Sequence, residues 1–138
     1  MKTKNVKLSR VLIIDDDPIS CELVASILRD GGYDTVELPS PIGATKLIRK
    51  RAIDVVILDV MMPELSGDKV ARILRSHADL ERLLIVLVSS CPRDQLVRLA
   101  NEVQADAVVS KEDVRKTLLA AVKHAEESRK RRTGEIGT

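Results

Sequence analysis

The chain has 138 residues, 44% of them hydrophobic and 32% charged, with a net charge of +2. That length suits one domain with a real core but not two, and the small net charge gives no reason to expect a nucleic-acid partner. With one Tyr, no Trp and no Phe, the core must be aliphatic. The basic start Met1-Lys2-Thr3-Lys4 is followed by too short an apolar run for a signal peptide. No stretch reaches the roughly 20 apolar residues that cross a bilayer. Cys21 and Cys91 lack a metal-type spacing and read as reduced thiols. The expected location is the cytoplasm, with no membrane contact.

Val11-Leu12-Ile13-Ile14 forms a first strand and runs into Asp15-Asp16-Asp17. Asp17 then serves as an N-cap and Pro18 as a first helical residue. Ile19, Leu23, Ile27 and Leu28 mark the apolar face of that helix, and Gly31-Gly32 ends it. Residues 33–38 read as a second strand. Ser40-Pro41 repeats the cap-plus-proline start, with Ala44, Leu47 and Ile48 turned inward. Val55-Val56-Ile57-Leu58 is a third strand that stops at Asp59. A loop over 61–66 leads to a helix from Gly67 to about His77, with Val70, Ile73 and Leu74 as its apolar set. Residues 83–88 form a fourth strand that runs into Ser89. Pro92 opens a helix bearing Leu96, Val97, Leu99, Ala100 and Val103. Ala107-Val108-Val109 passes through Ser110 into Lys111, and a last helix covers about 112–127. From 128 on, Arg129-Lys130-Arg131-Arg132 and polar residues replace the apolar pattern, so a domain over 9–127 and a disordered basic tail or linker over 128–138 are expected.

Continuous β-branched runs of this length read as strands buried on both faces of a parallel sheet. Strand and helix alternating five times make a three-layer α/β domain with right-handed crossovers. Ligands of such sheets bind outside the carboxyl ends of the strands, which is where Asp15, Asp16, Asp59, Ser89 and Lys111 fall. Several carboxylates held close repel one another, and a hard divalent cation such as Mg²⁺ resolves this with oxygen ligands and a phosphate oxygen. Asp59, alone at its strand end, is the candidate nucleophile for aspartyl-phosphate chemistry. Asp15 and Asp16 are the natural metal ligands. Lys111 would meet a phosphate as a point charge, and the Ser89 hydroxyl would donate to a phosphate oxygen. Asp17 reads as a cap, Cys21 as helix packing and Cys91 as a small neutral residue. Met61 and Met62 read as loop packing, and His77 and His124 as exposed helix residues.

The series Ile13-Ile14-Asp15-Asp16-Asp17-Pro18, Leu58-Asp59-Val60-Met61-Met62-Pro63 with Gly67, Val88-Ser89-Ser90 and Ser110-Lys111 resembles a response-regulator receiver domain over roughly residues 9 to 126. The resemblance implies a doubly wound, flavodoxin-like five-stranded parallel sheet of order 2-1-3-4-5. It implies phosphoryl transfer to Asp59 from a histidine kinase or phosphotransfer protein, in a signalling domain rather than an enzyme. Asp16 and Asp59 would bind Mg²⁺ directly, the Met61 backbone carbonyl would be a third protein ligand, and Asp15 would hold metal-bound water. Output would pass to a downstream protein, a second copy of the chain among the candidates, through the face of the fourth helix, fifth strand and fifth helix. Glu112 stands where receivers usually have proline after the lysine, and Val108 stands at a switch position often held by Tyr or Phe. Met61 and Cys91 occupy positions that commonly tune loss of the phosphoryl group, and neither positions a water well, so slow self-dephosphorylation is expected. Three other readings differ in kind. A pseudo-receiver, or the first module of a longer regulator, would present a constitutive protein-binding surface. A Mg²⁺-dependent aspartyl phosphatase usually needs an acid two residues after the nucleophile, where this chain has Met61. A flavin or nucleotide site on the same fold is disfavoured by three Asp residues after the first strand and by the lack of aromatics.

Overall fold

In the computed structural model, which describes residues 9–63 and 65–133 (132 and 133 as backbone), the four expected buried runs and the shorter second one pair as a single parallel sheet. The strands are β1 (Arg10–Ile14), β2 (Asp34–Leu38), β3 (Val55–Asp59), β4 (Leu84–Ser89) and β5 (Ala107–Ser110), in the order β2-β1-β3-β4-β5. The helices are α1 (Pro18–Asp30), α2 (Ala44–Lys50), α3 (Gly67–Arg75), α4 (Arg93–Val103) and α5 (Val114–Thr133). Alternate side chains of each strand enter opposite cores. Leu12, Ile14, Val56, Leu58, Ile85 and Leu87 pack with α2, α3 and α4, while Val11, Ile13, Val55, Ile57, Val86 and Val88 pack with α1 and α5. This two-sided burial is why β1, β3 and β4 lack polar alternation. The order reverses between β1 and β3, and the carboxyl ends of these two strands form the crevice that such a reversal creates.

Helix α1 starts as its sequence predicts. The Asp17 side chain accepts the Ile19 N–H at 3.1 Å, Pro18 follows, and the chain leaves the helix at Gly31. Helix α2 does not start at Ser40-Pro41. The Ser40 hydroxyl instead accepts the Ile42 N–H at 3.2 Å, and the Pro41 carbonyl accepts the Ala44 N–H at 3.1 Å. These bonds close a turn that ends at Gly43, whose φ of 81° is left-handed, so helix begins only at Ala44. Helix α3 stops at Arg75, two residues short of the expected His77. Three residues assigned inward from spacing point to solvent: Ile19, Ile73 and Val97. On α1 the buried face is Cys21, Val24, Ala25 and Leu28.

The largest departure is at the end of the chain. A disordered tail was expected from 128, yet α5 continues as helix to Thr133; residues 134–138 lie outside the described residues. Among the described residues, no helix is long and apolar enough to cross a membrane.

Candidate functional site

Four neighbouring strand ends, those of β1, β3, β4 and β5, supply the site. Asp15 directly follows β1, and its backbone N–H donates to the Leu38 carbonyl at 3.2 Å, tying the β1 exit to β2. Its carboxylate accepts the Asp17 N–H at 2.9 Å. Asp59 is the last residue of β3, and its carboxylate accepts the Met61 N–H at 3.2 Å, which orients it over the loop. That loop is held down by the Val60 N–H donating to Val88 and by the Gly67 N–H donating to Val60, each at 3.0 Å. A Cβ at Gly67 would run into the Asp59 carbonyl oxygen and the Val60 Cα, so only glycine lets α3 start this close to the end of β3.

The carboxylates of Asp15, Asp16 and Asp59 all lie within 4.8 Å of one another. Asp15 and Asp59 are each only 4% exposed, while Asp16 faces solvent. Lys111 enters from the end of β5. Its Nζ stands 3.5 Å from Asp59 and 3.7 Å from Asp15. Burial and the neighbouring Asp15 charge push the Asp59 carboxyl from 3.8 up to about 6, against the opposing pull of Lys111 and the Met61 N–H. One lysine does not balance this much negative charge. The donor set is all oxygen, carboxylate-rich and open to solvent on the Asp16 side, which fits a hard divalent cation that keeps some of its waters.

Ser89 closes β4 with its residue fully buried. The register pairs Asp59 with Val88 and Ser89 with Ser110, so Ser89 stands one step beyond the level of Asp59 on the adjacent strand. Its hydroxyl oxygen accepts the Cys91 N–H at 3.2 Å, which leaves the hydroxyl proton available to a ligand. Val108 is half-buried in β5, opposite Leu87, and packs on the core shared with α4. The Met61 side chain is exposed while Met62 is buried, so of the two only Met62 packs the loop. Cys21 is packed inside α1, where burial and nearby carboxylates push its thiol up to about 12, and Cys91 is half-buried. His124 is exposed on α5. His77 is half-buried and outside α3, with its Nδ1 3.2 Å from the Arg49 guanidinium.

The structure thus gathers Asp15, Asp16, Asp59 and Lys111 into one cluster and sets Ser89 and Val108 on the strands beside it. Sequence reasoning gave Lys111 to a phosphate and missed its pairing with both buried carboxylates. The signal was present: two buried anions require a counter-charge, and Lys111 stands at the one remaining strand end that carries a cation.

Comparison with known proteins agrees with this geometry. The family model for the response regulator receiver domain matches residues 11–123. The DNA-binding response regulator MtrA of Mycolicibacterium smegmatis is 33% identical over 114 residues, covering 83% of this chain and 49% of that protein. The chain therefore spans about half the length of the curated relatives that it matches in this way. The receiver domain of a signal transduction histidine kinase from Syntrophus aciditrophicus is 30% identical, with a TM-score of 0.75 over 87% of this chain and 91% of that one. A Vibrio cholerae chemotaxis protein shares the fold, with a TM-score of 0.78 at 23% identity over 86% of this chain and 99% of that one. A flavodoxin-like sheet with a carboxylate crevice at its switch point, matched from its first strand to its last helix, makes this chain a member of the response regulator receiver domain family.

Proposed function

We propose that this receiver domain takes a phosphoryl group onto Asp59 from the phosphohistidine of a histidine kinase or phosphotransfer protein, and uses the modification to change its protein contacts. The observation that carries this reading is the buried Asp59 carboxylate, set beside Asp15 and Asp16 and countered by Lys111. In the transfer, an Asp59 carboxylate oxygen forms the new P–O bond as the P–N bond to the donor imidazole breaks. The donor nitrogen keeps the bonding pair. Asp15, Asp16, Asp59 and the Met61 backbone carbonyl would hold Mg²⁺, with Asp15 acting through a metal-bound water. When bound, that ion supplies positive charge for the carboxylates and the phosphoryl oxygens.

The remaining steps belong to side chains of this domain. Modification replaces the single negative charge of the Asp59 carboxylate with a phosphoryl group that carries about −1.5 to −2 and three strong acceptor oxygens. Lys111 moves from the bare carboxylates to a phosphoryl oxygen, and the Ser89 hydroxyl donates to another. The backbone after β4 follows Ser89, because the Cys91 N–H is bonded to that hydroxyl. Val108, next to β4, repacks by the small amount a valine allows, and the face of α4, β5 and α5 changes its affinity for a partner. The exposed, apolar Met61 and the half-buried Cys91 position no hydrolytic water, so the acyl phosphate is long-lived.

The test is incubation with a small phosphodonor and Mg²⁺, followed by intact mass. The wild type should gain one phosphoryl group, and Asp59→Asn should gain none. Absence of any gain in the wild type would replace this reading with a constitutive pseudo-receiver.

A further inference from the structure

Beyond Ala125, the last buried residue of α5 among the described side chains, residues 126–133 contain no apolar side chain, yet the helix persists to Thr133. It is held from outside. The Tyr33 hydroxyl donates to Glu126 at 2.9 Å, the Ser9 hydroxyl donates to the other oxygen of Glu126, and the Arg129 guanidinium donates to the Arg82 carbonyl. These contacts fix the last turns of α5 against the ends of β1, β2 and β4 that lie away from Asp59.

The fixed helix displays cations in a line. Lys116, Lys123 and Lys130 recur every seven residues and are all exposed, with exposed Arg115 and Arg131 beside them. Seven residues are about two turns and ~10 Å of rise, so the row runs along one side for ~20 Å. Thr117, Ala120, His124 and Glu127 complete the exposed face, and Glu112 and Asp113 lie in the turn before it. Up to residue 131, α5 carries Arg115, Lys116, Lys123, Arg129, Lys130 and Arg131 against Glu126 and Glu127, six cations less two anions. The whole chain has a net charge of only +2, so the rest of it is slightly acidic. Arg115 and Lys116 occupy the first turn, where the helix dipole opposes cations, so helix stability accounts for Lys130 and Arg131 in the last turn but not for the start of the row.

We propose that the outer face of α5 docks on the phosphate backbone of double-stranded DNA without reading its bases. A straight row of like charge suits a linear polyanion that carries about one charge per 1.7 Å of axis. The backbone under the row is ordered on folding, so binding orders only its side chains. A membrane surface is the poorer fit, because this face has no large apolar side chain to insert between lipids. The expectation of no nucleic-acid contact rested on net charge and a disordered tail. The structure instead gathers the basic charge on one ordered helix.

The test uses the full chain and a fluorescent mixed-sequence duplex of about 30 base pairs, read by anisotropy at about 50 and 200 mM salt. Three to five phosphate contacts give a fall in affinity of roughly 40- to 500-fold between these salts. The triple substitution Lys116→Glu, Lys123→Glu, Lys130→Glu should weaken binding at low salt by at least tenfold and flatten the salt dependence. Its melting curve and its phosphorylation on Asp59 should stay as in the wild type. No binding at the lower salt, equal binding by the triple variant, or stronger binding to phosphatidylserine vesicles than to duplex would each overturn the proposal.

Discussion

Asp59→Asn should stabilise the metal-free protein at neutral pH. Burial and the Asp15 charge raise the Asp59 carboxyl from 3.8 to about 6, so the folded state holds this proton more tightly than the unfolded chain does. Folding is then unpenalised below about pH 4, loses stability as pH rises through the interval from 4 to 6, and stays at the lower level above it. Two units at about 1.4 kcal/mol each amount to about 3 kcal/mol. The asparagine amide keeps an oxygen for the Met61 N–H and has no charge to desolvate. For a domain of this size, about 3 kcal/mol corresponds to a rise in melting temperature of roughly 10 °C. The assay is thermal or urea unfolding of both proteins in EDTA from pH 4 to 8. The difference should be near zero at pH 4 and reach its plateau above pH 6. Mg²⁺ at a hundred times its Kd adds about 2.7 kcal/mol to the wild type and much less to Asp59→Asn, so it should nearly close the gap. A pH-independent difference, or a wild type more stable than the variant in EDTA at pH 7, would refute the reasoning.

Lys111→Ala removes the counter-charge from two buried carboxylates and should destabilise the metal-free protein at pH 7 by about 1–3 kcal/mol, with a smaller loss near pH 4 in the same unfolding assay. Gly67→Ala forces the backbone of Asp59 and Val60 away from α3; a loss of about 1–3 kcal/mol and slower phosphorylation by a small donor should follow. Phosphorylated wild type should keep its phosphoryl group for minutes or longer in mass spectra taken over time, and Met61→Asn should shorten that lifetime several-fold. A lifetime of seconds in the wild type would remove the role given to Met61 and Cys91. Leu118→Ala, at a fully buried site on α5, should cost about 2–5 kcal/mol and leave the phosphorylation site intact.

Much of this molecule was legible because β1, β3 and β4 are buried on both sides. Val11 to Ile14, Val55 to Leu58 and Leu84 to Val88 are unbroken apolar runs, and each stops at the residue that faces the crevice. What stayed hidden depends on contacts distant in sequence. Ser40-Pro41 looks like a helix start, but the left-handed Gly43 delays the helix. Ile19 fits a 3.6-residue pattern yet sits in the first turn of α1 and faces solvent. The polar end of α5 has no periodicity to read, because its helix is fixed by Tyr33 and Ser9, 93 and 117 residues away from Glu126. Lys111 was recognised as a site residue, but its bare-state partners follow from depth of burial, which spacing does not encode.

Tyr33 has a practical consequence. It is the one tyrosine in a chain without tryptophan, and its hydroxyl rests on Glu126 near the end of α5. Ultraviolet emission from the unlabelled protein therefore has a single source, and that source is in contact with a carboxylate, a neighbour that quenches phenol fluorescence. The chain carries its own optical gauge for the seating of its last helix, readable during phosphorylation or ligand titration without adding a dye.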